Sequence, residues 1–344
     1  MSKMKMIPLL VMTAMMSQSV TANNNVEVVS KPPVESATPS LAGATDAAAL
    51  AYAAQDIRLS DEERAEAIRA LGTQPSQNGL VAVTRAVKDE SATIREAAII
   101  GASPYQLEHR WRMLSPLLTD TEASVRLSAA TAFAQDFPQL NEAQKELLNE
   151  PLHELVGQLS SMGDAESQLM LADVYRWTGD YQQAQSYYEN LVDTMPMESQ
   201  VWLGYADNYR AQNKNSEAIE VLDTAIKKLP NHANLHYSKS LALVRIDDKA
   251  AAATEMDQAA NLANNNSYFW YLNGVLQEPL AIDKSTQSFE KAYALSGAPE
   301  HLYALCDIYV RHNNDYADDC MEALGKIAPP LVIEELNAKR NPKG

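Results

Sequence analysis

The residues of this sequence whose types could support chemistry are few, and most lack the spacing that chemistry needs. His232 and His236 lie four apart, which could place both on one helix face as metal ligands, but no cysteine or carboxylate accompanies them. Cys306 and Cys320 form neither Cys-x-x-Cys nor a haem-attaching Cys-x-x-Cys-His. The sequence also lacks Gly-x-Ser-x-Gly, a phosphate loop, Gly-x-Gly-x-x-Gly and His-Glu-x-x-His. We therefore predict that the protein is not an enzyme and binds no metal and no cofactor.

One charged pair recurs at a fixed spacing. Asp173 and Arg176 are repeated 34 residues later by Asp207 and Arg210. The same offset matches Ala172 with Ala206, Tyr175 with Tyr209, Ala184 with Ala218 and Pro196 with Pro230. Small residues at fixed places and a closing proline in a 34-residue period are typical of the tetratricopeptide repeat. The segments LADVYRWTGDYQQAQSYYENLVDTMP and YADNYRAQNKNSEAIEVLDTAIKKLP resemble that family.

The resemblance extends in both directions from this pair of segments. Three units span about 165–198, 199–232 and 233–266; a fourth begins near Ser267 and loses one residue in its turn, and a degenerate fifth follows. The resemblance implies an all-α, right-handed helical-repeat solenoid over residues 164–330 and a binding scaffold rather than an enzyme. Residues 331–344 form a C-terminal tail with room for one short helix.

In the tetratricopeptide family the first helices of the units line a concave groove that contacts the ligand. Carried onto this sequence, the groove residues form a channel with Asp and Arg at both ends and tyrosines between: Leu169, Asp173, Arg176, Trp177, Leu203, Asp207, Arg210, Tyr237, Leu241, Arg245, Tyr268, Tyr271, Val275, Tyr303, Asp307 and Arg311. Arginines can hold carboxylates, and tyrosines offer apolar area with a polar tip. An equally weighted alternative is that each Asp–Arg pair is an intrahelical ion pair on a solvated face.

The resemblance also gives the two cysteines a place. Cys306 stands where the first helix carries a small residue, and Cys320 falls near the facing place of the second helix if the turn is two residues longer. An exported protein meets an oxidising compartment, so we predict a disulfide between Cys306 and Cys320 that stabilises the last unit.

The first half, residues 46–163, is helical with a different period. The segments DESATIREAAIIGAS and DTEASVRLSAATAFA align at a spacing of 31 and resemble the second helix of HEAT-type repeats. In that family an aspartate lies near the helix start, and an arginine reaches towards the turn of the neighbouring repeat. The alternative is an irregular helical bundle. A long helix, broken by Pro151, is expected to join the two halves.

The N-terminus is typical of a secretory signal. Residues 1–22 carry Lys3 and Lys5, then the apolar run MIPLLVMTAMM, and Val20 and Ala22 suit a cleavage site. We expect a cleaved signal and a periplasmic location; an uncleaved anchor is the alternative. Residues 23–45 are rich in Asn, Pro, Ser and Thr, which favours a disordered linker.

The net charge limits the classes of partner that the protein is expected to bind. The formal net charge is −17, which disfavours nucleic acid and anionic lipid, and we expect no membrane insertion. The order of HEAT-like and tetratricopeptide halves resembles the C-terminal region of exported multihaem cytochromes, without haem motifs. That resemblance suggests a scaffold for an exported protein or peptide such as a c-type cytochrome or its assembly machinery. A cell-envelope biogenesis factor that recruits an outer-membrane or cell-wall enzyme, and an enzyme with an unrecognised site, are the alternatives; the sequence leaves the oligomeric state open.

Overall fold

A computed structural model describes residues 46–340, and every regular element within this range is a helix. The helices are α1 (Ala47–Ala53), α2 (Asp61–Leu71), α3 (Gln77–Ala86), α4 (Ala92–Gly101), α5 (Leu107–Leu114), α6 (Ala123–Ala134), α7 (Glu142–Met162), α8 (Ala165–Thr178), α9 (Tyr181–Thr194), α10 (Ser199–Ala211), α11 (Asn215–Lys228), α12 (Ala233–Arg245), α13 (Lys249–Leu262), α14 (Ser267–Gln277), α15 (Ile282–Ser296), α16 (Pro299–Arg311), α17 (Ala317–Gly325) and α18 (Pro330–Asn337). Two 3₁₀ helices span Ser115–Thr119 and Phe137–Gln139. The predicted signal and linker lie outside the described residues.

Capping side chains mark many helix starts. Ser60 and Asn141 each form a capping box, with Glu63 and Gln144 respectively, at the starts of α2 and α7. In the second half, Asp164, Asp180, Asp248 and Asn266 accept hydrogen bonds from backbone N–H groups of the first turn. These caps satisfy donors that a helix start otherwise leaves unpaired, so they fix where the helices begin.

A ladder of ion pairs ties α2, α4, α6 and α7 together. Three arginines spaced 31 residues apart each reach an acidic residue further along the chain: Arg64 to Asp89 at 2.6 Å, Arg95 to Asp120 at 2.7 Å and Arg126 to Glu154 at 2.6 Å. Arg95 also donates to the carbonyls of Asp89 and Glu90, in the turn before its own helix. The predicted reach of arginine to a neighbouring turn is therefore present; the HEAT-type assignment itself stays a prediction.

The joining helix α7 is continuous, so the expected break at Pro151 is wrong. Pro151 is buried within Glu142–Met162, and the helix ends only at Gly163, whose φ of 69° is left-handed. Proline removes the hydrogen bond to the carbonyl four residues earlier. That carbonyl belongs to Leu147, an exposed residue, so water can replace the missing donor.

The second half alternates first and second helices of five units, α8 to α17, and each helix packs on the next in the chain. Small residues at the repeated places of these helices are fully buried, among them Ala172, Ala184, Ala206, Ala218 and Ser240. Contacts between like helices run through the first helices, α8 with α10 and α10 with α12. The array therefore curves with its first helices on the inner side. The chain is an all-α helical-repeat solenoid.

In four of the five units, the turn between the two helices contains one left-handed residue. Gly179, Asn213, Asp247 and Asn313 have φ values of 90°, 61°, 63° and 51°, and the first three are spaced 34 residues apart. Gly, Asn and Asp are the residues that adopt this conformation most readily. The fourth unit, which is one residue shorter, has no left-handed residue in its turn between α14 and α15.

The C-terminal end is more than a tail. Cys306 lies in α16 and Cys320 in α17, with Sγ atoms 2.01 Å apart and Cα atoms 5.4 Å apart. Helix α18 follows and buries Val332 and Leu336 against α16 and α17. This helix covers the apolar face that the last unit would otherwise expose. Among the described helices, none has both the length and the apolar character to span a bilayer.

Candidate partner-binding groove

We call the predicted binding surface on the first helices α8, α10, α12, α14 and α16 the A-helix groove. Equivalent places in the five units carry different chemistry. One row reads Leu169, Leu203, Tyr237, Tyr271 and Tyr303; the next reads Asp173, Asp207, Leu241, Val275 and Asp307. The groove thus changes from charged to apolar and back to charged along the array.

The charged end begins with Asp173 and Arg176. Arg176 Nη2 lies 2.7 Å from Asp173 Oδ1, so the predicted alternative of an intrahelical ion pair is present here. Tyr188 of α9 also donates its hydroxyl to Asp173 at 2.5 Å and accepts from Arg176 Nε at 3.1 Å. Burial raises the pKa of Tyr188, so it remains a neutral donor. Asp173 and Arg176 are therefore fixed by a buried side chain beneath the groove.

The second pair is less completely satisfied. Arg210 Nη2 lies 2.8 Å from Asp207 Oδ1, and Nη1 donates to Ser238 Oγ of α12 at 3.1 Å. Arg210 Nε is buried and has no hydrogen-bond partner within the described chain. Burial also raises the pKa of Asp207, against the pull of nearby arginines.

Arg245 adds a third cation near this pair. Its charge acts on the pKa of Asp207, as do the charges of Arg176 and Arg210. The side chain of Arg245 is exposed, and among the described residues it has no ion pair. The cluster of three arginines and two aspartates therefore carries one net positive charge.

Aromatic side chains continue the groove through α12 and α14. Tyr237 stacks on Phe269 with ring centroids 4.9 Å apart and meets the edge of Tyr268 at 6.5 Å. Tyr271 stacks on His301 at 5.4 Å. Tyr268, Val275 and Val244 are 51%, 44% and 41% exposed. At these places the groove exposes apolar surface, and the side chains there carry no charge.

At the far end of the groove, the charged side chains pair with one another. Arg311 pairs with Glu278 and with Asp307, and Lys339, which follows α18, lies 2.7 Å from Asp307 Oδ1. Lys339 also lies over the ring of Tyr303, 5.7 Å from its centroid. Tyr303, Asp307 and Arg311 thus belong to an internal network.

At the near end, Trp177 packs against the apolar core of the first half, and the Arg176 guanidinium lies 5.3 Å from its ring centroid. Only some of the groove residues carried over from the family are therefore accessible to a partner. Sequence reasoning missed Tyr188 of α9, Ser238 of α12 and Lys339, which follows α18. Glu278 could have been found, because it stands at the place that Arg176 and Arg210 hold in the first two units.

Of the two histidines that are four apart, His236 has both ring nitrogens in contact with other residues, whereas His232 Nδ1 is buried without a hydrogen-bond partner in the described chain. His236 Nδ1 lies 2.7 Å from Glu255 Oε2, and Nε2 lies 3.1 Å from the carbonyl of Pro230, so both ring nitrogens are occupied. Within the described range, no three potential ligands among His, Cys, Asp and Glu cluster as a metal site would require. The absence of a cofactor stays a prediction.

Comparison with known proteins identifies the repeat in the middle of the array. Residues 178–242 match the family model of the tetratricopeptide repeat, a stretch that includes Asp207 and Arg210. No curated protein matches the chain.

Among solved structures, MamA is 22% identical, with 49% of this chain and 97% of MamA covered at a TM-score of 0.40. YrrB, described as a TPR protein with an unusual peptide-binding site, is 15% identical, with 53% of this chain and 97% of YrrB covered at a TM-score of 0.43. Pseudomonas aeruginosa PilF is 16% identical, with 63% of this chain and 99% of PilF covered at a TM-score of 0.42.

Proposed function

We propose that this chain is a non-enzymatic periplasmic scaffold that binds another exported protein through the A-helix groove. The observation that carries the proposal is the exposure of groups without a partner in units three and four. Arg245 has no ion pair among the described residues, and Tyr268 and Val275 are accessible on the same face. Arginine and tyrosine are the residues most often found at the energetic centre of protein interfaces.

The partner that the sequence favours is a c-type cytochrome or a component of its assembly machinery. Support comes from the order of a HEAT-like half and a tetratricopeptide half, which resembles the C-terminal region of exported multihaem cytochromes. A formal net charge of −17 also favours a partner whose overall surface is basic or neutral. The envelope-biogenesis alternative predicts an outer-membrane or cell-wall enzyme instead.

Export is part of the proposal and can be tested separately. Residues 1–22 are expected to be removed, so the purified periplasmic protein should begin near Asn23. Cys306 and Cys320 are expected to form a disulfide in that compartment. Intact mass with and without reductant, after alkylation, measures both features. A retained N-terminus would contradict the cleaved signal, and free thiols would contradict the disulfide.

The groove proposal is tested by affinity capture from a periplasmic extract. The variant Arg245→Ala/Tyr268→Ala removes two exposed groove groups without disturbing the buried Arg176–Tyr188 contact. Arg112→Ala/Tyr316→Ala removes exposed residues of the same types outside the groove and is the matched control. We expect the groove variant to capture about tenfold less partner, since loss of two interface contacts costs roughly 1–2 kcal/mol. Equal capture by both variants would overturn the proposal, and the captured protein decides between cytochrome and cell-wall partners.

A further inference from the structure

The geometry points to a partner segment of defined chemistry: an internal acidic side chain beside Arg245, followed by apolar side chains over Tyr268 and Val275. This inference rests on the proposed function, because it names what the A-helix groove binds. It commits to a protein segment with acidic and apolar parts, and its acidic part lies towards units one and two.

The first argument is charge. Asp173 and Asp207 neutralise two of the three arginines in the cluster, which leaves one positive charge unmatched. The guanidinium of Arg245 is exposed and has no ion pair among the described residues, and a carboxylate is the strongest acceptor for such a group. The rest of the chain is strongly acidic, so a carboxylate is attracted to this cluster and repelled elsewhere.

The second argument is the change in the groove beyond Arg245. Leu241, Val244 and Val275 occupy the places where units one and two carry aspartate or arginine. Val244 and Val275 are 41% and 44% exposed, which leaves their apolar surface in water until a partner covers it. A charged side chain placed here would lose its hydration without gaining a counter-ion. The segment over α12 and α14 must therefore be apolar.

The third argument fixes the order along the groove. At the far end, Glu278, Asp307, Arg311 and Lys339 already satisfy one another. A second charged group on the partner has no unmatched charge to meet there. Only the end near Arg245 requires a counter-charge, so the partner's acidic and apolar parts have a defined order.

Helix spacing sets the length of the segment. Neighbouring helices pack about 8–10 Å apart, and an extended chain advances about 3.3 Å per residue. One unit therefore corresponds to about three residues of an extended partner. A carboxylate beside Arg245 and apolar side chains over α14 should stand about three to six residues apart.

The test uses synthetic peptides of about 14 residues with both ends blocked. One peptide carries two glutamates, three neutral residues and three leucines in that order, and a second carries the same residues in reverse order. The matched peptides replace glutamate by glutamine or by lysine. Fluorescence anisotropy with the full mature chain gives the dissociation constant at low and at high salt.

We expect one of the two glutamate peptides to bind about tenfold more tightly than its glutamine counterpart, the effect of about one hydrogen bond to a charged group. The preference should shrink at high salt, because an exposed ion pair is screened. In Arg245→Glu the preference should reverse towards the lysine peptide, whereas in Tyr268→Ala all peptides should weaken alike. Such a charge exchange cannot arise from general damage to the fold.

Equal affinities for the glutamate and glutamine peptides would overturn the inference, as would no measurable binding of any peptide. None of these outcomes bears on capture of a protein partner by Arg245→Ala/Tyr268→Ala, so failure of the inference is distinguishable from failure of the proposed function.

Discussion

The protonation of His236 is coupled to the packing between two repeat units. Its two ring nitrogens contact Glu255 of α13 and the carbonyl of Pro230, both of which are acceptors. Lys239 joins the same cluster, 2.6 Å from Glu255 and 2.6 Å from Asp223 of α11. These contacts connect units two and three through one protonated imidazole.

Stability conferred by His236 should depend on pH. The hydrogen bond to Glu255 raises the pKa of His236 above 6.5, so the folded state favours the protonated ring. That contribution is complete below pH 6.5 and is lost as pH rises through the raised pKa. We expect His236→Gln to lower the free energy of unfolding by about 1–3 kcal/mol at low pH and by less at high pH.

The measurement is urea unfolding of His236→Gln and wild type from mildly acidic to mildly alkaline pH. Burial opposes ionisation of Glu255, but the hydrogen bonds from His236 and Lys239 outweigh it and lower the Glu255 pKa below 4.5. Measurements above pH 4.5 therefore isolate the histidine. The exposed His153→Gln is the control for loss of a histidine. A pH-independent effect of His236→Gln would contradict the assignment.

For single residues, the sequence predicts the position of a side chain in the repeat better than it predicts which side chains that residue contacts. The 34-residue period predicted the Asp–Arg pairs because the two residues of each pair are close in sequence and lie on the same helix. It did not predict Tyr188 beneath Asp173 or Lys339 over Tyr303, because those contacts join residues 15 and 36 apart in different elements of the chain. The period also placed Trp177 in the groove, whereas packing with the first half decides its position.

Among the elements, α2, α4, α6 and α7 are connected by a ladder whose regularity was readable from the sequence. The arginines are equally spaced, and two acidic partners, Asp89 and Asp120, share that spacing. The third partner is Glu154, since Pro151 stands where the next aspartate would fall. Asp89 and Asp120 also accept backbone N–H groups at the starts of α4 and α6, so each holds a helix start and a neighbouring helix.

Arg95→Ala should destabilise the first half far more than a surface arginine does. Arg95 contacts Asp120 through two hydrogen bonds, 2.7 and 2.8 Å long, and its removal leaves that carboxylate without its cation. Loss of hydrogen bonds to a charged group in a partly buried pair costs about 1.5–3 kcal/mol, whereas loss of an exposed pair costs about 0.5 kcal/mol or less. Arg112, paired with Glu108 at 70% and 83% exposure, is the matched control.

Chemical denaturation followed by far-UV circular dichroism measures the two free energies. Equal losses for Arg95→Ala and Arg112→Ala would mean that the ladder adds little to stability.

Elements without such a series of ion pairs are harder to predict from the sequence. The continuity of α7 through Pro151 depends on an exposed position of Leu147, and exposure is a property of the packed molecule.

For the whole molecule, stability is expected to be uneven because each unit contacts only its neighbours. One apolar cluster extends through the first half and reaches Val174 in α8, and separate, smaller clusters follow along the array. The last unit has its own cluster, which includes Cys306, Cys320 and Leu336. Its stability is therefore expected to depend on the predicted disulfide and on α18, because no further repeat follows it among the described residues.

The last prediction tests this dependence. Cys306 and Cys320 are 14 residues apart, and closing a loop of that size stabilises by about 3 kcal/mol in the chain-entropy model. Alanine fits the Cys306 place, since Ala172 and Ala206 occupy it in units one and two. We expect Cys306→Ala/Cys320→Ala to speed amide hydrogen exchange in α16 to α18 while α2 to α6 keep their protection. Reduced wild type should match the variant, because both lack only the cross-link. Unchanged exchange in α16 to α18 would mean that α18 alone maintains the end of the solenoid, and a loss of protection spread over α2 to α6 would mean that the array unfolds as one unit.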